Sequence, residues 1–266
     1  MTFQQVKLNC QYALGAFFAL PIVPILYIQG KQVRRKVPDL PEATGMEGVS
    51  EEGANGTFSV LLIGESTMAG VGVMTNEEGF AGSLARSLHG KLDKTIHWHV
   101  YAKSGYAAQR ILKEILPTIT TDQADLIVLG MGANDTLEIN TPYTWGKYVR
   151  EILNTLREQF PHTPVAFANM PPVNDFEALT PLLQMTLGNL SFLLKEELEL
   201  IVTELPNVYF DNRLLAIENW IKDKDPTKPM PSLFSDGVHP SKYSYHIWAD
   251  HFADFLLQEV LKRRNN

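Results

Sequence analysis

The sequence has a single cysteine, Cys10, in 266 residues. That excludes an intrachain disulfide framework and leaves the redox compartment unread. Basic residues are in short supply: 23 Lys and Arg stand against 30 Asp and Glu, a net charge of −7. Nucleic-acid binders normally carry a basic face, so no nucleic-acid partner is expected. Internal repeats and low-complexity tracts are missing, which sets aside solenoids and compositional tails. A phosphate loop is missing too. Gly70 and Gly72 do not form G-x-G-x-x-G, and no Lys-Ser/Thr pair follows, so no nucleotide cofactor is expected. The G-x-S-x-G elbow of the α/β-hydrolases is also absent.

What is present is an ordinary globular balance, 45% hydrophobic and 20% charged, enough to bury a core. One long apolar run stands out. Residues 12–28 (YALGAFFALPIVPILYI) carry no charge and would reach roughly 25 Å as a helix. A membrane anchor, a cleaved signal peptide and a buried helix compete for this segment. No small-x-small cleavage site follows the run, and Cys10 precedes it. Pro21 and Pro24 disfavour the interior of a soluble helix, whereas membrane helices tolerate proline. An anchor over residues 1–28 is therefore expected, with membrane association through residues 12–28. Lys31, Arg34, Arg35 and Lys36 follow the run and only Lys7 precedes it. The charge bias predicts a single-pass inner-membrane protein with its catalytic domain cytoplasmic, the periplasmic side being the alternative. Residues 29–56, basic and then acidic and rich in glycine and proline, read as a linker.

From residue 57 to 266 apolar runs alternate with helical patterns. Strands are expected at 58–63, 96–101, 126–129, 165–168 and 208–210. Helices are expected at 79–92, 107–116, 144–160, 182–205 and 243–261, the last ending on Lys262, Arg263 and Arg264, cations that suit a helix C-terminus. The alternation predicts an α/β domain with a parallel sheet of about five strands and helices on both faces. Ligands of such sheets bind beyond the carboxyl ends of the strands.

Polar clusters fall at those ends. Gly64-Glu65-Ser66-Thr67 follows the first strand, Lys103-Ser104-Gly105 the second, and Gly132-Ala133-Asn134-Asp135 the third. A fourth cluster, Ser235 to Pro240 with Asp236 and His239, precedes the last helix. Ester cleavage through a serine needs a base beside the hydroxyl, a carboxylate to orient the base, and donors for the developing oxyanion. Ser66, His239, Asp236, Gly105 and Asn134 supply residue types for each part.

These four blocks, in this order, resemble the SGNH hydrolases, the GDSL lipase/esterase superfamily. Gly64-Glu65-Ser66 matches the nucleophile block, Gly105 the second, Gly132-x-Asn134-Asp135 the third, and Asp236-x-x-His239 the last. The run GESTMAGVGV is similar to a bacterial, membrane-anchored-type subgroup. Glu65 and Thr67 depart from the aspartate and leucine of the family name. The resemblance spans roughly residues 57–255. It implies a flavodoxin-like three-layer α/β/α fold and a catalytic triad of Ser66, His239 and Asp236. It also implies an oxyanion hole from the backbone N–H groups of Ser66 and Gly105 and the side-chain amide of Asn134. The expected reaction is hydrolysis of a small-molecule or lipid ester without a cofactor or metal. Acyl transfer by the same triad and a tethered binding module with a dead site are the alternatives.

Each residue also has a plainer reading. Ser66 alone reads as a helix cap, and Asn134 and Gly105 as turn residues. Asp236 and His239 lack further ligands at metal-binding spacing. His97 and His99 share one strand face, which fits surface packing. Asp135 reads equally as a supporting residue or a solvated loop aspartate. Tyr106, Met131, Met170, Pro171 and Pro172 follow strands and read equally as an acyl pocket or as core.

Overall fold

A computed structural model describes residues 2–170, 172–213 and 233–262. Pro171, Arg263 and Arg264 lie outside the described residues. The chain begins with helix α1 (Phe3–Ala19) and helix α2 (Val23–Lys36), joined by one 3₁₀ turn, Leu20–Ile22. Pro21 and Pro24 sit in the first positions of the turn and of α2, where a missing N–H leaves no acceptor unpaired. Together the two form one stretch, Phe3–Lys36, long and apolar enough to cross a membrane.

All five expected strands are present and parallel: β2 (Thr57–Gly64), β3 (Thr95–Ala102), β4 (Leu126–Gly130), β5 (Val165–Phe167) and β6 (Val208–Phe210). A sixth, β1 (Glu47–Val49), pairs antiparallel with β3 at the sheet edge, giving the order β1-β3-β2-β4-β5-β6. Residues 29–56 are thus not a structureless linker, as their composition suggested. The helix runs on to Lys36, and residues 42–50 are stitched to the domain. Ala43 N–H donates to Ala69 O (3.0 Å), and Asn76 N–H donates to Thr44 O (2.9 Å). A three-residue edge strand containing a glycine carries no readable alternation, so only its pairing partner reveals it.

Strand residues alternate between two helical layers. Phe58, Val60, Leu62, Leu126 and Val128 face α3 (Phe80–Leu92) and a final helix, α8 (Lys242–Phe255). That layer is centred on Phe80, Trp248 and Phe252. Leu61, Ile63, Ile127 and Leu129 face α6 (Pro142–Gln159) and α7 (Pro181–Glu204), through Trp145, Ile152, Leu194 and Leu198. The predicted helix at 107–116 is a short irregular one: α4 (Ala108–Arg110) passes into a π turn and then a 3₁₀ turn ending at Thr118. α6, α7 and α8 are each capped by a hydroxyl, from Thr141, Thr180 and Ser241.

The chain leaves β2 toward β3 on one side and later returns to β4 on the other. That reversal opens a crevice at the carboxyl ends of β2 and β4. Gly64 and Gly130 are paired there. A Cβ on Gly130 would meet Met68 Cε at 2.5 Å, and one on Gly64 would collide with Gly130 O. The two glycines let Met68 seal the floor under the crevice.

The helix α1–α2 lies along α7 in the opposite direction. Gln5 Nε2 donates to Glu197 Oε1 (3.3 Å) near one end, and Thr180 Oγ1 bonds Gln29 Oε1 (2.6 Å) near the other. Between them Tyr143 N–H donates to Asn9 Oδ1 (3.1 Å) and Tyr12 OH to Ile139 O (3.2 Å).

Candidate active site

Ser66 follows β2 in a series of tight turns, and no helix begins there, so it is not a helix cap. The turns pass through Gly70 (φ +67°) and Gly72 (φ +104°). Both angles suit glycine, and both positions are crowded. A Cβ on Gly70 would lie 2.6 Å from Ala43 Cβ, and one on Gly72 2.6 Å from Pro240 O. Close approach at Gly72 brings the loop of Ser66 against the loop that carries His239. Ser235 Oγ donates to Gly72 O (3.0 Å), and the buried Tyr245 hydroxyl donates to Val71 O (2.8 Å). Residues far apart in sequence meet through these contacts.

His239 Nδ1 bonds Asp236 Oδ2 at 2.7 Å. The other carboxylate oxygen accepts the backbone N–H groups of Val238 (2.9 Å) and His239 (2.8 Å). The Asp236 side chain is fully buried. Burial opposes its charge, but the His239 N–H, the His239 ring and the Val238 N–H together hold its carboxyl below the usual range. The aspartate therefore stays ionised and fixes the ring, with Nε2 directed away from it. Ser66 and His239 line one cavity of about 2100 Å³, yet among the described residues no hydrogen bond joins them. Sites without substrate commonly show such loosened contacts.

The second and third blocks meet through Asn134, whose amide reaches Tyr106 O, and both blocks line the cavity with Ser66. Gly105 has φ +75°, and a Cβ there would meet no atom within 4 Å, so its conformation rather than its space calls for glycine. Among the described residues neither the Ser66 N–H nor the Gly105 N–H has an acceptor. Asn134 stands at the start of α5 (Ala133–Leu137), which opens at the carboxyl end of β4. Its amide Nδ2 donates to Glu65 Oε2 (2.7 Å) and, at longer range, to Tyr106 O (3.4 Å). One amide hydrogen is firmly committed and the other is weakly held.

Three supporting residues escape the sequence reading or are left open by it. Glu65 is 1% exposed and accepts the N–H groups of Ala133 and Asn134 (2.9 Å each) besides the Asn134 amide. Burial pushes its carboxyl up to about 8 against these donors. Asp135 is fully buried, not solvated. It accepts Ala108 N–H and Asn140 Nδ2 (2.9 Å each), tying the Gly105 loop to α5, and burial raises it to about 6. Glu42, from the supposed linker, accepts Ser104 N–H (2.7 Å) and pairs with Lys103 (2.9 Å). Glu65 has a signal in the sequence, its adjacency to the serine, and Asp135 has one in its place in the third block, whereas Glu42 has none.

The cavity wall differs from the one the sequence suggested. Pro172 lines it, while Tyr106, Met131 and Met170 do not. About half of the wall comes from α1–α2 and α7, and the rest from the loops at the strand ends and the segments at 37–40, 172–179 and 233–240. His99 pairs with Glu47 of β1 (2.6 Å) at the far edge of the sheet.

No curated protein matches the sequence. Solved structures do, at low identity. A lipase, Lip_vut3, from a goat rumen metagenome is 20% identical, with a TM-score of 0.51 over 74% of this chain and 96% of its own. A lipase/acylhydrolase from Enterococcus faecalis is 15% identical, with a TM-score of 0.52 over 75% and 95%. A family two carbohydrate esterase from Clostridium thermocellum, solved with cellohexaose, is 13% identical, with a TM-score of 0.54 over 78% and 65%. Such likeness shows a shared fold, and the fold hosts more than one kind of ester. The GDSL-like lipase/acylhydrolase family model matches residues 62–247, which contain all four polar clusters. The chain belongs to the GDSL-like lipase/acylhydrolase family and is an ester hydrolase.

Proposed function

We propose that the protein cleaves carboxylic esters through an acyl-enzyme on Ser66. The observation that carries this reading is the buried Asp236–His239 pair opening into the cavity that holds Ser66 and two acceptor-free N–H groups. In the first half-reaction the Ser66 hydroxyl oxygen bonds to the ester carbon while its proton passes to His239 Nε2. The carbonyl oxygen takes the negative charge and accepts the N–H groups of Ser66 and Gly105. Asn134 joins them by exchanging its long bond to Tyr106 O for the oxyanion, while Glu65 keeps the amide aligned. Collapse breaks the carbon–alkoxy bond, and His239 returns the proton to the leaving alcohol. Water repeats the sequence on the acyl-enzyme and regenerates Ser66.

A panel of p-nitrophenyl esters on wild type and Ser66→Ala tests the chemistry. Turnover should fall by at least about 10³-fold in the variant, and a fluorophosphonate probe should label only the wild type. Equal turnover in the two would refute the assignment.

The same reading attaches the enzyme to a membrane through α1–α2. Support comes from the exposed apolar side chains Phe17, Phe18, Leu20 and Val23. Polar contacts at Gln5, Asn9, Tyr12 and Gln29 hold the helix on the domain along its length. They favour a helix lying in the membrane interface over one crossing away from the domain. Lys31, Arg34, Arg35 and Lys36 then meet anionic headgroups, which suits a cytoplasmic leaflet.

A further inference from the structure

Several polar side chains of the α1–α2 helix face the domain while much of its apolar surface is exposed. Gln5, Asn9, Tyr12 and Gln29 are spent on bonds to the domain, whereas Leu14, Phe17, Val23, Ile25 and Ile28 are each 47% exposed or more. A helix on the surface of a soluble domain shows the reverse. The apolar exposure continues across the neighbouring surface. Leu137 at the end of α5, Ile139 just after it, and Met185 and Phe192 on α7 are each 45% exposed or more. These four also line the cavity that reaches Ser66 and His239, together with Phe18 and Leu20 of the helix. Large contiguous apolar surfaces of this kind mark a lipid or protein contact.

The cavity's size bears on its occupant. At about 2100 Å³ it is at least twice the roughly 300–1,000 Å³ of small-molecule sites. An acetyl or other short acyl group would leave most of it empty. A long hydrocarbon chain, or the two chains of one lipid, would occupy more of that volume and match the apolar side chains of the trough between two antiparallel helices. The trough also contains Ser66, and the exposed apolar residues Leu137, Ile139, Met185 and Phe192 line it, so a chain passes from that rim to Ser66 along apolar side chains.

Resting on the ester-hydrolase reading of Ser66, we infer that the substrate is a long-chain acyl ester of a membrane lipid. Its chain enters from the bilayer through the trough, and the N-terminal helix is one wall of the acyl site rather than only a tether. The helix therefore sets chain-length preference.

Two glycines make this testable in the full-length protein. Gly15 and Gly30 both line the trough, and a Cβ at either meets no atom within 4 Å. Gly15→Phe and Gly30→Phe would each place a ring in the space of several methylenes without a clash. Leu14→Phe is the control, since Leu14 is 58% exposed and does not line the trough. In phosphatidylcholine nanodiscs each glycine variant should lower kcat/KM for p-nitrophenyl palmitate at least tenfold. Loss of contact for one methylene is worth about fourfold. Turnover of p-nitrophenyl acetate and fluorophosphonate labelling should stay within twofold of wild type, and Leu14→Phe should change neither. If one glycine variant loses acetate turnover as well, the other decides. Unchanged palmitate-to-acetate ratios in both variants would overturn the inference. Palmitate binding measured in the Ser66→Ala background repeats the comparison without catalysis. Weaker binding in the glycine variants, with no ester turnover by Ser66, would keep the trough and refute the chemistry. Equal binding in all variants would refute the trough alone.

Discussion

Glu65→Gln is the substitution that most directly probes how the site is held. The Glu65 carboxyl is surrounded by three N–H donors, two from the start of α5 and one from the Asn134 side chain. A glutamine can turn its oxygen to only one side of that arrangement. If it faces Asn134, its own amide confronts the Ala133 N–H and two buried donors are left unpaired. The expected cost is about 1–3 kcal/mol of stability. The pH dependence is more diagnostic. Burial raises the folded carboxyl from its ordinary 4.5 to about 8. Between those values the folded protein keeps a proton that the unfolded chain releases, so stability falls as pH rises through the window. The slope reaches about 1.36 kcal/mol per pH unit, on the order of 5 kcal/mol across the whole window. Below 4.5 and above about 8 both states hold the same proton count and the slope vanishes. Urea unfolding of both proteins in detergent, from about pH 5 to about pH 9, measures it. The advantage of wild type over Glu65→Gln should shrink steadily to about pH 8 and then level off. Asp135, also raised, is present in both proteins, but its charge helps to raise Glu65, so the two carboxyls titrate as a coupled pair in wild type. A difference constant across pH would refute a protonated Glu65, and one that grows with pH would reverse the assignment.

Asp236→Asn should lower kcat on the order of 10⁴-fold, because the amide no longer fixes the His239 ring in the productive tautomer. The folded carboxyl lies below its ordinary 3.8, so its stabilising contribution is present at neutral pH and is lost as pH falls below that value. Melting curves of wild type and the variant should therefore converge in acid, and an undiminished gap at about pH 3 would contradict the pairing. Gly105→Ala forces a side chain to φ +75°, a strain of about 1–2 kcal/mol. Relaxation of the turn should withdraw an oxyanion donor, lowering kcat about tenfold or more with little change in KM. Steady-state kinetics that leave kcat intact would contradict that role.

The parallel sheet is legible in the sequence because β2 and β4 are apolar on both faces and bounded by glycine, a pattern that few other structures produce. The positions of Ser66, Gly105 and Asn134 follow from it, since they fall just after strands, whereas His239 is placed only by its loop before the last helix. The supporting shell is not legible. Glu42 is an ordinary acidic residue until its partner, Ser104 N–H, is known, and Asp135, left open in the sequence, is decided only by its bond from Ala108 N–H. β1 has three residues and exists only as a partner of β3. The cavity wall is hidden for a different reason. Tyr106, Met131 and Met170 lie close to strand ends, but about half of the wall is built by helices whose direction relative to the sheet has no local signal. The proline positions in α1–α2 also mislead. They read as a membrane tolerance, while each occupies a helical first turn, where proline fits in any solvent.

The stitching of residues 42–50 bears on how the enzyme searches for substrate. A flexible linker would let the catalytic domain swing at the end of a leash, sampling a hemisphere of orientations. Here only the few residues between Lys36 and Glu42 separate the helix from chain that is bonded to the loop of Ser66 and the sheet edge. Helix and domain behave as a bracket with one fixed angle. Any surface that accepts the helix receives the crevice in the same attitude, with Ser66 at a constant height above it. The effective concentration of reacting groups is then set by two-dimensional diffusion in that surface rather than by the reach of a linker.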